Sequence, residues 1–310
     1  MMGLKKSSRY DLLVVTGPTA SGKTSLAAAL ALRLNGEIIS ADSRQIYRQM
    51  NLGTGKDYGD YVVEGRHIPY HLIDIADPGY KYSVFEYQRD FVKVLDDLGT
   101  RDKFPVVCGG SGLYLDSLIS GYKMIEVPPD PLFRASLERK SLAELTGILS
   151  SFKKLHNKTD IDTKKRAIRA IEIERFIGTV MDDQKQFPIV KPLVAGVLFS
   201  REKRRDRISE RLKRRLEEGM VDEVRQLMMQ GVDPETLIYY GLEYKYITLY
   251  LTGMISYDEM YRSLETAIHQ FAKRQMTWFR GMERKGIPIK WIDGELTMDE
   301  KVEQVLEMLL

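Results

Sequence analysis

The sequence predicts an α/β fold, a parallel sheet with helices on both faces, interrupted by an inserted helical domain. Three observations carry this reading. Short apolar runs alternate with segments of helical period through the first 120 residues. A phosphate-binding pattern, "GPTASGKT", joins the first such run to the first helix. From about Asp130 to Gly178 the strand patterns stop, and only helical stretches, mostly polar and basic, remain. Strands alternating with helices imply parallel pairing, because a parallel crossover needs a connection long enough to hold a helix.

The elements follow in order. "DLLVVTG" is a buried strand and "TSLAAALALRL" its following helix. "GEIISAD" is a second strand, and "RQIYRQM" opens a helical or loop segment. "YHLIDIADP" reads as a third short strand stopped by Asp77-Pro78. In "SVFEYQRDFVKVLDDLGTR", Val84, Tyr87, Phe91 and Leu95 share a helical face. "FPVVCGG" is a fourth strand that turns into the helix of "SGLYLDSLISG". After the insertion, "PLVAGVLFS" is one more buried strand. Two long amphipathic helices follow, "RDRISERLKRRLEEGMVDEVRQLMMQG" and "SYDEMYRSLETAIHQFAKRQMTWFRG", the latter opened by a capping box from Ser256 to Glu259. "IPIKWID" and a C-terminal helix close the chain. The expected domains are a catalytic core at 1–128 and 190–310 and a helical insertion at 129–189.

Composition bounds the function. The 310 residues are 43% hydrophobic and 29% charged, ordinary for a globular chain with a sizeable core. No apolar run reaches the roughly 18–20 residues of a membrane helix. The N-terminus, with Lys5 and Lys6, has no small-residue cleavage site and does not read as a signal peptide. A lone cysteine, Cys108, excludes an internal disulfide and a cysteine metal cluster. Cytoplasm is the expected compartment and a monomer the expected state. Net charge is only +3, but the basic residues cluster. Lys153, Lys154, Lys158, Lys164, Lys165, Arg166, Arg169 and Arg175 form one run, "REKRRDRISERLKRR" another, and Lys273 to Lys285 a third. Each alone fits a solvated helix face; three of them behind a phosphate loop fit a polyanionic partner.

The loop carries the chemistry. Gly17, Pro18, Thr19, Ala20, Ser21, Gly22, Lys23 and Thr24 match Gly-x-x-x-x-Gly-Lys-Thr in the required strand-to-helix context. Glycines let the backbone wrap a phosphate, and the helix N-terminus adds positive partial charge. Lys23 neutralises an outer phosphate, and the Thr24 hydroxyl suits Mg²⁺. The pattern specifies phosphate, not a nucleotide. An ATP- or GTP-hydrolysing motor needs an acid ending a neighbouring strand, and "VVCGG" ends in glycines. Asp74 and Asp77 lie inside or just past their strand. Asp42, at the carboxyl end of the second strand, stands where ligands of open parallel sheets bind. There it is a candidate general base, and equally a turn or cap former. A small-molecule kinase remains open on these residues.

The ordered set "GPTASGKT", "SADSRQIY", "NLGTGK", "HLIDIADP", "YSVFEY", "GGSGLYLDSLISG", "SYDEM" and "AKRQMTWFRG" resembles bacterial tRNA dimethylallyltransferase, also called tRNA isopentenyltransferase. The resemblance spans about Leu12 to Trp291. It implies a phosphate-loop kinase-like core with an inserted helical domain that grips the tRNA anticodon stem-loop. It also implies transfer of a dimethylallyl group from dimethylallyl diphosphate, with Mg²⁺, to the exocyclic amine of the adenosine on the 3′ side of the anticodon.

By the same resemblance Lys23, Thr24 and Arg225 act on the diphosphate and Asp42 on the attacking amine. The implied tRNA contacts are Asp42, Ser43, Arg44, Gln45, Ser111, Arg134, and Lys165, Arg166, Ala167, Ile168 and Arg169. Ser111 stands where the family usually has threonine. "IYYGLEYK", Ile238 to Lys245, departs from the family's Gly-Tyr-x-Glu segment, because Leu242 follows Gly241. No contact is assigned there. A single cysteine excludes the zinc finger of eukaryotic members.

Overall fold

The structure is a computed structural model that describes residues 9–121, 124–155, 159–179, 187–188 and 190–309. Lys5, Lys6 and Lys158, counted above, lie outside the described residues. The chain divides into two compact units, Met1–Tyr122 with Pro188–Leu310, and Lys123–Phe187. The sequence placed the insertion at 129–189.

The first unit begins with β1 (Leu12–Thr16), α1 (Lys23–Arg33) and β2 (Gly36–Ser40). A two-stranded hairpin, β3 (Val62–Val63) and β4 (Arg66–His67), turns at Glu64 and Gly65, both left-handed. Then come β5 (Tyr70–His71), α2 (Val84–Thr100), β6 (Phe104–Cys108) and α3 (Gly112–Ile119). The order of the six-stranded sheet is β5-β2-β6-β1 and then the strands after the insertion, β7 (Pro192–Leu198) and β8 (Ile289–Asp293). Every pairing in it is parallel. All five residues of β1, β2 and β6 are buried, as expected for strands covered on both faces. Leu26, Ala27, Leu30 and Ala31 of α1 pack with Leu13, Val15 and Val106 on one face of the sheet.

Two expectations are corrected here. The "YHLIDIADP" run enters the sheet with only Tyr70 and His71. Leu72 (φ 60°) and Asp74 (φ 56°) are left-handed and turn the chain out of the sheet, where Asp74 pairs with the buried Lys56. The helix expected after β7 is two helices, α7 (Arg201–Glu217) and α8 (Met220–Met229). Gly219 (φ 100°) breaks it in a conformation that costs glycine little. Beyond lie α9 (Pro234–Tyr240), α10 (Leu242–Leu251), the 28-residue α11 (Tyr257–Arg284) and α12 (Met298–Leu309). The Ser256–Glu259 capping box is formed.

The second unit holds α4 (Pro131–Glu138), α5 (Leu142–Phe152) and α6 (Lys164–Ile177) around a small core of Leu137, Leu145, Leu149, Ala167 and Ile171. To keep chain order, these three precede α7. Among the described residues no helix is long and apolar enough to cross a membrane.

Candidate active site

Strands β2, β6, β1 and β7 are neighbours and run the same way, so the loops leaving their carboxyl ends converge. These loops supply Asp42, the Gly109–Ser111 turn, the phosphate loop and the start of α7. The turn after β6 is glycine for steric reasons. A Cβ on Gly109 would lie 2.2 Å from the Ala41 carbonyl oxygen, and one on Gly110 would lie 2.6 Å from Gln275 and 3.1 Å from the Gly17 oxygen. An acidic side chain at either place, as a motor-type site would need, has no room.

The phosphate loop is a cradle held open from outside. A Cβ on Gly17 would meet Ser21 Oγ and the Val197 carbonyl, each at 2.7 Å. Ala20 (φ 62°) and Gly22 (φ 75°) are left-handed. Gly22 sits at the N-cap of α1 and offers no side chain, so the first-turn N–H groups are left for a ligand to cap. Ser21 Oγ is buried with no partner among the described residues. The Thr19 N–H donates to Gln275 Oε1 (2.8 Å), and Gln275 Nε2 donates to the Gly110 oxygen (2.9 Å). Gln275, on α11, thus locks the loop to the glycine turn. Arg207 Nε donates to the Ala20 oxygen (2.9 Å), and Arg211 donates to Thr19 Oγ1.

Positive charge accumulates here without full compensation. Burial lowers the Lys23 pKa, Cys108 and Asp42 partly restore it, and Arg211 and Arg215 lower it again. Burial, then Arg215, push Arg211 down to about 9, still charged at neutral pH. Arg215 is 4% exposed; it pairs with Asp57 (2.9 Å), and its Nε has no partner among the described residues. Cations held this way gain when a polyanion arrives. Burial raises the Cys108 thiol nearby to about 11.

Asp42 is both a turn former and a site carboxylate. Its Oδ1 accepts the Arg44 N–H (2.9 Å), and its own N–H donates to Ser40 Oγ (3.3 Å). The preceding residue, Ala41, packs against Gly109, and Gly110 packs against Gly17, which places Asp42 beside the phosphate loop. Ser111 begins α3 but makes no cap bond with its side chain; its Oγ instead accepts the Ser43 N–H (3.0 Å).

Several expected site residues are engaged elsewhere. Arg225 is on the exposed side of α8, paired with Asp222, and among the described residues it forms no hydrogen bond or ion pair with the phosphate loop. The arginines that hold the loop are Arg207 and Arg211 of α7. Gln45 is 9% exposed; its Nε2 donates to the Gly55 oxygen (3.0 Å) and its Oε1 accepts from Ser40 Oγ (3.2 Å), so it braces the Asp42 turn from within.

In the second unit, Ala167 and Ile168 are core residues of α6. Arg134 forks onto Glu172 through Nε (2.9 Å) and Nη2 (2.7 Å), and Arg169 binds the same carboxylate and the Val127 oxygen (2.9 Å). Burial works against the Glu172 charge, yet the Arg134 fork and the Asp130 N–H hold its pKa at about 2. That clamp is structural. Lys165 and Arg166 are exposed, Arg166 paired with Asp162.

Sequence reasoning missed Gln275, Arg207, Arg211 and Glu223. Arg207, Arg211 and Arg215 recur every fourth residue, which puts them on one face of α7, and that spacing was a usable signal. Glu223 had none. Its carboxylate accepts the N–H groups of Asn51 (2.8 Å), Leu52 (2.7 Å) and Gly53 (3.1 Å) and the Tyr244 hydroxyl (2.7 Å), tying the "NLGTGK" loop to α8 and α10.

An all-parallel sheet with a phosphate loop between its first strand and helix defines a phosphate-loop protein of the kinase-like class. The chain belongs to the IPP transferase family, whose pattern matches residues 45–282; the isopentenyl transferase family matches 10–70. It is 60% identical over 301 residues to tRNA dimethylallyltransferase 2 of Phocaeicola vulgatus, covering 97% of this chain and 98% of that one. It is 61% identical over 300 residues to tRNA dimethylallyltransferase 2 of Bacteroides fragilis, covering 97% and 98%. The solved structure of the tRNA isopentenylpyrophosphate transferase of Bacillus halodurans superposes with a TM-score of 0.69 at 30% identity, covering 97% of this chain and 95% of that one.

Proposed function

We propose that this chain transfers a dimethylallyl group from dimethylallyl diphosphate to the exocyclic amine of the adenosine 3′ to the tRNA anticodon, releasing diphosphate. The observation that supports it most is a phosphate cradle lined by under-compensated cations with a carboxylate, Asp42, beside it. The allylic C–O bond breaks and its electrons leave with the diphosphate. The adenine nitrogen forms the new C–N bond and gives up a proton, for which Asp42 is the acceptor. Lys23, Arg211 and the first-turn N–H groups of α1 receive the charge developing on the leaving diphosphate.

No cluster of three or more His, Cys, Asp or Glu side chains suited to a metal occurs among the described residues. Thr24, whose hydroxyl follows the loop lysine, is the residue that would hold Mg²⁺; bound there, the ion would neutralise phosphate charge. The exposed Lys165 and Arg166 are candidates for the anticodon stem, and Arg44 and Ser43 for the loop. A cytoplasmic monomer is the setting this reading carries.

The diphosphate assignment separates two arginines. Arg211→Ala is expected to weaken dimethylallyl diphosphate binding about tenfold or more, the scale of a lost charge-assisted hydrogen bond. Arg225→Ala should leave it unchanged. Isothermal titration of both variants checks this; equal losses, or a loss confined to Arg225→Ala, would restore the arginine assigned from the sequence.

A further inference from the structure

We propose that Tyr239, flanked by Arg44 and Lys81, is a stacking platform for an unpaired RNA base next to the adenosine that enters the site. This rests on the transferase reading and names a residue of that site in the segment where the chain departs from its family's pattern.

The ring is exposed, yet rigidly mounted. Tyr239 is 50% exposed near the end of α9. The following residue, Tyr240, is fully buried. Its hydroxyl accepts the Gly79 N–H (2.5 Å) and donates to the Tyr80 oxygen (3.0 Å), and its ring lies 4.4 Å from that of Tyr47. Tyr239 packs edge-on against this fixed ring at 5.9 Å and 67°. A large apolar face is thus presented to solvent by an anchored helix end, where a core role would have buried it.

Two cations attend that one ring. The Arg44 guanidinium lies 5.7 Å from its centroid and the Lys81 ammonium 5.8 Å. Arg44 also connects the ring to the reacting centre. Its N–H is held by the Asp42 carboxylate (2.9 Å). A Cβ placed on Gly241 would lie 3.9 Å from both Arg44 Nε and Glu243 Oε2. The buried hydroxyl of Tyr114 feels Arg44, Asp42 and Tyr239 together. Tyr239 is therefore one residue, Arg44, away from the Asp42 carboxylate.

The chemistry calls for such a surface. An adenine that reaches Asp42 must leave its stack, so a neighbouring base loses a stacking partner. Proteins that read unpaired RNA replace that partner with an aromatic face and hold the adjoining phosphates with arginine or lysine. A half-exposed ring with two cations 5.7 and 5.8 Å from its centroid offers both.

The test uses the full chain and a labelled hairpin RNA with unpaired adenosines in its loop, beside a blunt duplex of equal length. Tyr239→Ala and Tyr239→Leu should bind the hairpin at least about fivefold more weakly, the lower end of one base-stacking contact. Tyr239→Phe should stay within about twofold, because the ring remains. Duplex binding should not change, nor should the salt slope, since no charge is removed. In turnover, KM for RNA should rise while KM for dimethylallyl diphosphate holds. If Tyr239→Ala binds the hairpin like the parent, or loses duplex binding equally, the platform is wrong and the transferase reading stands. If the parent itself binds neither RNA, both fall.

Discussion

Replacing Asp42 with alanine is expected to slow prenyl transfer about 10²–10⁴-fold, the usual range for a positioned general base. Asp42 follows the end of the second strand, and its charge acts on Lys23 of the phosphate loop. Its Oδ1 is held by the Arg44 N–H, which fixes the carboxylate in place. Asp42→Ala removes that anchor along with the base, so a second variant is needed. Asp42→Asn keeps an oxygen for the Arg44 N–H but is a far weaker base. Single-turnover rates with bound RNA should fall in both variants, with RNA affinity little changed. Near-parental rates in Asp42→Asn would reduce Asp42 to a turn former.

Lys23→Ala should lower transfer about 10²–10³-fold, as the loss of one donor to developing negative charge does elsewhere. Folding should respond in the opposite sense. Lys23 is a half-buried cation with Arg211 and Arg215 nearby, and its pKa is lowered in the folded chain. A base whose folded pKa lies below its unfolded one destabilises the fold while charged, throughout the range below the folded pKa. At neutral pH, removing the charge should therefore leave the melting temperature unchanged or raised. Transfer lost with stability kept marks Lys23 as part of the chemistry. A variant that unfolds, or one that keeps its rate, contradicts this.

Much of the fold was legible because local signals agreed with one another. The strand, glycine loop and helix at Leu12–Arg33 combine an all-apolar run, a residue pattern and a helical period. The third strand failed because apolarity says nothing about backbone handedness at Leu72 and Asp74. The long helix after β7 failed at Gly219, where periodicity runs through a glycine that the backbone uses as a break. Within the site, the residues legible from the sequence were those in contiguous motifs: the loop itself and Asp42. Those that brace it come from far along the chain. Gln275 reaches the loop across 256 residues and Arg211 across 192, and only the sheet order brings them there. Arg225 shows the reverse case: the sequence assigned it to the diphosphate from a short local match, and the structure pairs it with Asp222 on an exposed helix face. Arg134 and Arg169 carry charge, as the sequence implied, but share one buried glutamate that no spacing rule pointed to.

The most direct test of the central claim is product identity. The protein is incubated with dimethylallyl diphosphate, Mg²⁺ and unmodified tRNA, without ATP, and the tRNA is digested to nucleosides and weighed. The expected result is a single adenosine heavier by one dimethylallyl group in place of a hydrogen, located beside the anticodon, with diphosphate released in equal amount. An unmodified digest, or modification only when ATP is supplied and consumed, would contradict it.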